Sequence, residues 1–201
     1  MINRRLFLLA GVAMPAQISA AAETSAQKIV RAARAQLGTS YSPGYVRLAY
    51  PNGDLPADQG VCTDVIIRAL RAVGYDLQVR IHEDMKRNFA KYPQNWGLKR
   101  PDSNIDQRRV PNQMKYFERH GKQLTLSTDD ARLAEWQSGD LVYWRLDNGL
   151  LHCGVVTDTK SDNRPHVVHN LSRCQEEDCL TQWRIIGHYR LVLKSVESPA
   201  R

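Results

Sequence analysis

The 201-residue chain changes its pattern near residue 121, and this change decides which fold classes are open to it. Apolar residues recur at helical spacing in three segments, each closed by a glycine, at 24–38, 62–74 and 111–121. Strand-like runs joined by polar turns follow at 141–144, 151–157, 166–171 and 183–193. Helices followed by an antiparallel sheet predict an α+β fold in which the helix that begins at Cys62 packs on the sheet.

The composition predicts one globular domain over residues 23–201. Hydrophobic residues make up 42% of the chain and charged residues 24%, which are ordinary values for a folded domain. The length leaves room for one full core rather than two. Residues 84–111 are rich in turn formers and predict an elaborated excursion beside the site, in which helical and irregular pieces are mixed.

Residues 1–22 predict a signal peptide. Arg4 and Arg5 precede an apolar run from Leu6 to Met14, and small residues at 19–22 suit signal peptidase. The run is too short to cross about 30 Å of hydrocarbon, so we expect no stable membrane span after cleavage. The paired arginines also fit a twin-arginine signal, and both export routes stay open. The predicted location is the periplasm or another exported compartment.

The charge of the chain allows an anionic partner but does not favour nucleic acid. The formal charge is +7, of which Arg4 and Arg5 supply two, so the mature chain would carry about +5. A basic excess fits cell wall or lipid headgroups, and it also fits a solvated basic face. Because the cations are scattered and no recognition-helix or zinc-finger spacing accompanies them, we expect no nucleic-acid partner.

Four cysteines in an exported protein raise the question of disulfides. Cys174 and Cys179 flank a short acidic turn and predict a local disulfide. Cys153 lies in an apolar run and predicts a buried thiol. Cys62 is then left unpaired, as a nucleophile needs to be.

Cys62 and His152 together predict a cysteine hydrolase. A thiol at a helix N-terminus lies in a partial positive field that favours the thiolate. The start of the strand at His152 and the end of the strand at His169 come together if the two strands form a hairpin. His169 is the expected orienting residue, with Asn170 as the alternative, because strand alternation lets only one of them face the site.

The order of these motifs resembles the NlpC-type papain-like cell-wall cysteine peptidases. The matching pieces are LGTSY, CTDVIIRAL, GDLVYW, LHCGVV and VVHN, and they cover most of the mature chain. More closely, GVCTDVIIRAL, NIDQRRVPN, QSGDLVYW and IIGHYR resemble a YijF-like family of exported domains of unknown function. The resemblance implies a papain-like fold, the triad roles for Cys62, His152 and His169, and a place for Tyr41 on the substrate or oxyanion side. It departs at the nucleophile, where the peptidases usually carry Asp-Cys-Ser-Gly.

The residues around the nucleophile form a second group of candidates for substrate or oxyanion contacts. Backbone N–H groups at the helix start, including that of Thr63, are expected to face the oxyanion. Asp64 either takes part in the site or caps the helix and pairs with Arg108 or Arg109. The two arginines suit the carboxylates of a peptide substrate. The full set of candidates is Tyr41, Thr63, Asp64, Arg108, Arg109 and Asn170.

The predicted reaction is cleavage of an amide bond, most plausibly in peptidoglycan peptides, through an acyl-enzyme. An acyltransferase and a noncatalytic envelope-binding module on the same fold are the alternatives. The His and Cys residues between 152 and 179 raise a third alternative, a metal-supported protein. No paired C-x-x-C spacing supports it, so we expect neither a metal nor another cofactor.

Overall fold

The computed structural model describes residues 22–193, which excludes most of the predicted signal peptide. The helices are α1 (Ser25–Arg34), α2 (Cys62–Arg71), α3 (Leu77–Asn88) and α4 (Val110–His120). Short 3-10 helices lie at Phe89–Lys91, Asp106–Arg108 and Asp130–Glu135. No helix among residues 22–193 has the length and apolarity that crossing a membrane requires.

Eight strands complete the fold of residues 22–193. They are β1 (Ser40–Tyr41), β2 (Gln59–Gly60), β3 (Lys122–Gln123), β4 (Leu141–Arg145), β5 (Leu151–Ser161), β6 (Arg164–Asn170), β7 (Cys174–Glu177) and β8 (Arg184–Arg190). Strands β1 and β2 form a small parallel pair. The other six form an antiparallel sheet in the order β3-β8-β4-β5-β6-β7. This is the predicted α+β, papain-like arrangement, and the predicted hairpin is β5–β6.

The first helix begins where the sequence indicates. The Thr24 hydroxyl accepts the backbone N–H of Gln27 at 3.2 Å, and the Gln27 side chain accepts the backbone N–H of Thr24 at 2.8 Å. This reciprocal capping box satisfies two donors that the first helical turn otherwise leaves free. The cap therefore fixes the entry of α1, while Ile29, Val30 and Ala33 are buried on one face.

The main sheet is buried on both faces, and alternate residues of its strands enter two separate cores. One core lies between the sheet and the helices and contains Ile66 and Leu70 of α2 together with Tyr143 of β4. The second lies on the opposite face and contains Trp144 of β4 and Leu180. Successive residues of a strand point to opposite faces, so Tyr143 and Trp144 stabilise different layers.

The predicted disulfide between Cys174 and Cys179 is wrong. All four cysteines are free thiols. Cys174 belongs to the core on the helix side, whereas Cys179 belongs to the core on the other face. The acidic segment between them forms the edge strand β7 instead of a turn, and it therefore directs the two side chains to opposite faces. Cys153 is the buried thiol that its apolar neighbours indicate.

Candidate active site

Cys62 is the first residue of α2, and a buried carboxylate holds this end of the helix. The Asp64 carboxylate accepts the backbone N–H of Val61 at 2.8 Å, and it also accepts two hydrogen bonds from Arg108. Arg108 extends the support, since its guanidinium donates to the carbonyls of Ser42 and Gly44 at 3.0 Å. The Asp64–Arg108 pair thus fastens the N-terminus of α2 to the loop that follows β1.

The hairpin β5–β6 brings the two histidines together. Nε2 of His152 and Nδ1 of His169 lie 2.8 Å apart, and both residues are buried. Gly154 pairs with His169 in the ladder. A Cβ atom on Gly154 would lie 2.5 Å from Cγ1 of Val167 and 3.1 Å from Cβ of His169. The glycine therefore permits the close packing from which His169 reaches His152.

Glu177 determines which nitrogen of His169 can carry the proton. Its carboxylate lies 3.1 Å from Nε2 of His169. A carboxylate only accepts, so Nε2 of His169 donates and Nδ1 is left to accept Nε2–H of His152. Burial, followed by the charge of His152, lowers the pKa of His169 and keeps its ring neutral. The second nitrogen of His152 is then available to the thiol of Cys62.

The Cys62 thiol is strongly acidic although it is buried. A hydrogen bond with the Cys153 side chain is the largest cause, and it lowers the pKa of Cys62 to about 5 against the opposing effect of burial. A hydrogen bond with His152 and the charge of His152 add to the lowering. The pKa of Cys153 is raised well above its ordinary value, chiefly by burial, so this residue stays a thiol that donates to Cys62. The arrangement is a thiolate stabilised by two donors.

Aromatic side chains surround the histidine pair. The ring of Trp144 stacks on His152 with centroids 5.6 Å apart, and Trp183 meets both histidine rings edge-on. These rings exclude water on the side of the sheet away from α2. Removing water strengthens the interaction between the imidazole and its charged partners.

Tyr41 marks the solvent side of the site. It pairs with Gly60, two residues before Cys62, and it is 41% exposed. Burial, followed by the charge of Cys62, raises the pKa of the Tyr41 hydroxyl, which keeps that hydroxyl protonated. Cys62 itself is 5% exposed. Cys62 is therefore almost enclosed, and Tyr41 is an exposed side chain near enough to respond to its charge.

The other residues predicted to contact substrate have different placements. Thr63 and Arg108 are buried, and the Thr63 hydroxyl donates to the Arg108 carbonyl at 3.0 Å. Burial of Thr63, Asp64 and Arg108 does not fit side-chain contact with substrate, and it confirms the alternative in which Asp64 caps the helix and pairs with Arg108. Arg109 lies 4.0 Å over the ring of Trp96.

His169, rather than Asn170, faces His152. The amide of Asn170 points to the opposite side and donates to the carbonyls of Thr39 and Gly60 at 3.3 Å. This position supports the chain just before Cys62. Because neighbouring residues of a strand point to opposite faces of the sheet, only one of His169 and Asn170 can face His152. The strand register decides which of the two does so.

Two contributors escaped sequence reasoning. The sequence predicts a turn for the acidic segment that contains Glu177. In the structure Glu177 pairs with Val167, which points to the same face of β6 as His169, so the carboxylate shares a face with His169. The contact between Cys153 and Cys62 depends on how α2 packs on β5. The sequence signal for this contact was the position of Cys153 directly after His152 in the strand.

Comparisons with known proteins agree with this architecture. The sequence profile of the family described as domain of unknown function DUF1287 matches residues 30–191. Uncharacterized protein YijF of Escherichia coli (strain K12) is 54% identical over 170 residues, covering 83% of this chain and 82% of the relative.

One of the solved structures that the chain resembles shares its fold at low sequence identity. An N-acetylmuramoyl-L-alanine amidase from Bacteroides uniformis is 11% identical, with a TM-score of 0.50 over 83% of this chain and 98% of that one. NlpC1 from Trichomonas vaginalis is 14% identical, with a TM-score of 0.46 over 87% of this chain and 45% of that one. The chain belongs to the YijF-like DUF1287 family and has an α+β, papain-like fold that it shares with the amidase.

Proposed function

We propose that the protein is an exported cysteine hydrolase that cleaves an amide bond in peptidoglycan peptides. The observation that carries the proposal is the connected series from the acidic thiol of Cys62 through His152 to His169. A cysteine hydrolase needs a thiolate, an imidazole that protonates the leaving amine, and a polar group that orients the imidazole. These three residues fill the roles in that order.

The reaction follows from the positions of the protons. The thiolate of Cys62 attacks the carbonyl carbon, and backbone N–H groups at the start of α2 stabilise the resulting oxyanion. His152 gives its proton to the leaving nitrogen as the C–N bond breaks, which leaves a thioester on Cys62. His152 then takes a proton from water, whose oxygen attacks the thioester and releases the carboxylic acid.

A groove bordered by the loop that follows Tyr41 supports an extended, anionic substrate. The exposed loop after Tyr41 leads to Tyr45, which borders an open groove of about 900 Å³. Arg47, Lys99 and Arg100 contribute cations to the lining of this groove, against the carboxylate of Asp102. Carboxylate-bearing wall peptides match this charge, and the predicted export signal would place the enzyme beside them.

The test compares the parent with Cys62→Ala on purified peptidoglycan and soluble muropeptides, with products identified by mass spectrometry. We expect cleavage by the parent and a loss of at least about a thousandfold in the variant, because the nucleophile is gone. Cys174→Ala is the matched control, since it removes a buried thiol of the edge strand and leaves the triad intact.

Three outcomes separate the alternatives. Equal turnover by parent and Cys62→Ala would remove Cys62 from the mechanism. Binding of wall fragments without turnover by either protein would favour the noncatalytic module. Products that carry an added amine in place of water would assign the acyltransferase reaction to the same acyl-enzyme.

A further inference from the structure

A second cluster of reactive side chains lies behind the histidine pair, on the side away from His152. Ligand atoms of His169, Glu177 and Cys179 all lie within 4.8 Å of one another. They supply an imidazole nitrogen, a carboxylate oxygen and a sulfur. Zinc accepts all three atom types in tetrahedral sites.

From this geometry we infer that His169, Glu177 and Cys179 form a zinc-binding site whose occupation switches the proposed hydrolase off. The inhibitory effect rests on the proposed function, whereas metal binding does not. A structural zinc centre holds a fold together. Here two hydrophobic cores already do so, and the three ligands lie beside the histidine pair of the candidate active site.

The spacing of the three atoms suits a small ion. Zinc–ligand bonds of about 2.0–2.3 Å place tetrahedral ligands roughly 3.5 Å apart. Nε2 of His169 and the Glu177 carboxylate are already 3.1 Å apart. The Cys179 sulfur lies within 4.8 Å of both atoms, so it reaches this spacing with an approach of at most about 1.3 Å, and water supplies the fourth ligand.

An ion can reach the cluster from solvent, and the second ring nitrogen of His169 has a hydrogen-bond partner. The side chain of Glu177 is 42% exposed, whereas that of His169 is 3% exposed, so an ion reaches the carboxylate first. Cys179 is buried behind them. The free nitrogen of His169 faces Nε2 of His152 at 2.8 Å. A metal-bound histidine typically uses its other ring nitrogen in such a contact.

Binding changes the protons in a defined way. As zinc binds, the Cys179 thiol loses its proton to solvent, and the metal replaces the proton on Nε2 of His169. The displaced Nε2 proton also leaves to solvent, and Nδ1 of His169 takes the proton of Nε2 of His152 along their 2.8 Å hydrogen bond. His169 is then neutral again, and its Nδ1 donates to Nε2 of His152. That nitrogen can no longer carry a proton of its own, so His152 cannot form the doubly protonated partner of the Cys62 thiolate.

Cobalt binding tests the site without any substrate. The probe is Co²⁺ added to reduced Cys62→Ala protein, in which the nucleophile cannot contribute a sulfur. We expect a sulfur-to-cobalt charge-transfer band that Zn²⁺ abolishes. The band should be absent in Cys62→Ala/Cys179→Ser and retained in Cys62→Ala/Cys174→Ser, the matched control for a buried thiol.

A second variant guards against misfolding of a core substitution. Glu177→Gln changes a half-exposed side chain, and we expect it to weaken Co²⁺ binding at least about tenfold in folded protein. No band in Cys62→Ala, or a band of equal strength in the variant that lacks Cys179, would overturn the site.

The effect on the reaction is measured separately. Cys179→Ser should keep the activity of the metal-free parent and lose most of its inhibition by Zn²⁺, with any remainder due to direct binding at Cys62. Equal inhibition of parent and Cys179→Ser would refute the inhibitory role. The protein could show a cobalt band that depends on Cys179 and yet have no hydrolase activity. That result would support the metal site and contradict the proposed function.

Discussion

Cys62 combines two properties that normally oppose each other, burial and a low pKa. Burial alone favours the neutral thiol, because a charge loses its hydration in the interior. The hydrogen bond with Cys153 and then that with His152 reverse the effect and lower the pKa to about 5. A second thiol thus activates the first, and Cys153 becomes part of the site's electrostatics.

The alkylation rate of Cys62 should report this pKa. The thiolate is the reactive form, so the rate with iodoacetamide should rise with pH through about 5 and then level off. Cys153→Ala and His152→Ala should each move the rise to higher pH, because each removes a donor that stabilises the thiolate.

Two controls make this measurement specific. Cys62→Ala should lose the fast phase, since burial raises the pKa of both Cys174 and Cys179 to about 12. An unchanged pH profile in Cys153→Ala would contradict the activating role of the second thiol.

At the scale of elements, the N-terminus of α2 depends on one buried ion pair. The side chains of Asp64 and Arg108 are 5% and 2% exposed. Removing one charge of such a pair leaves the other buried without a partner, which costs about 3–5 kcal/mol. The pair therefore fixes the position of α2 and of the loop at Ser42.

Asp64→Asn should lower the free energy of unfolding by about 3 kcal/mol, because it leaves the Arg108 charge unpaired. Urea denaturation checks this value, with Asp58→Asn as an exposed control from the same region. A variant that unfolds like the parent but shows a raised KM for wall peptides would restore the direct substrate role.

Elements with a strong periodic pattern were predictable, and those set by pairing were not. The capped helix at Thr24, the helix at Cys62 and the hairpin that carries His152 appear close to their predicted bounds. Helix α3 was not predicted as a separate element, because its second half overlaps the turn-rich segment 84–111. Strand β7 is defined by its ladder with β6, and its polar residues carry no alternation of their own.

At the scale of the molecule, the face of the sheet opposite the helices has its own buried charge network. The carboxylate of Asp140 accepts from His188 at 2.9 Å and from Arg190 at 2.6 Å. Trp136 stacks on His188 with centroids 3.6 Å apart. This network ties the start of β4 to the end of β8. The start of β4 lies in the Gly-Asp-Leu-Val segment that the sequence indicates as a strand.

Asp140 should make the fold sensitive to acid. Burial raises the pKa of this carboxyl, but hydrogen bonds from Arg190 and His188 outweigh it and lower the pKa overall. A group with a lowered folded pKa stabilises the fold above its ordinary pKa, near 3.9, and loses this contribution as the pH falls further.

Asp140→Asn should therefore destabilise the protein most at neutral pH, and its difference from the parent should shrink below about pH 4. Urea midpoints measured from pH 7 down to pH 3 check this trend. A difference that stays constant over this range would show that the charge of Asp140 contributes nothing, and only its shape matters.

The edge strand β7 connects the beginning of the described chain with the histidine pair. Its neighbouring carboxylates point in opposite directions: Glu176 receives two hydrogen bonds of 2.8 Å from Arg34 of α1, while Glu177 faces His169. A chain whose first helix has not yet docked lacks the clamp on this strand. The docking of α1 on β7 and the position of Glu177 beside His169 are thereby linked through a single pleat of the sheet.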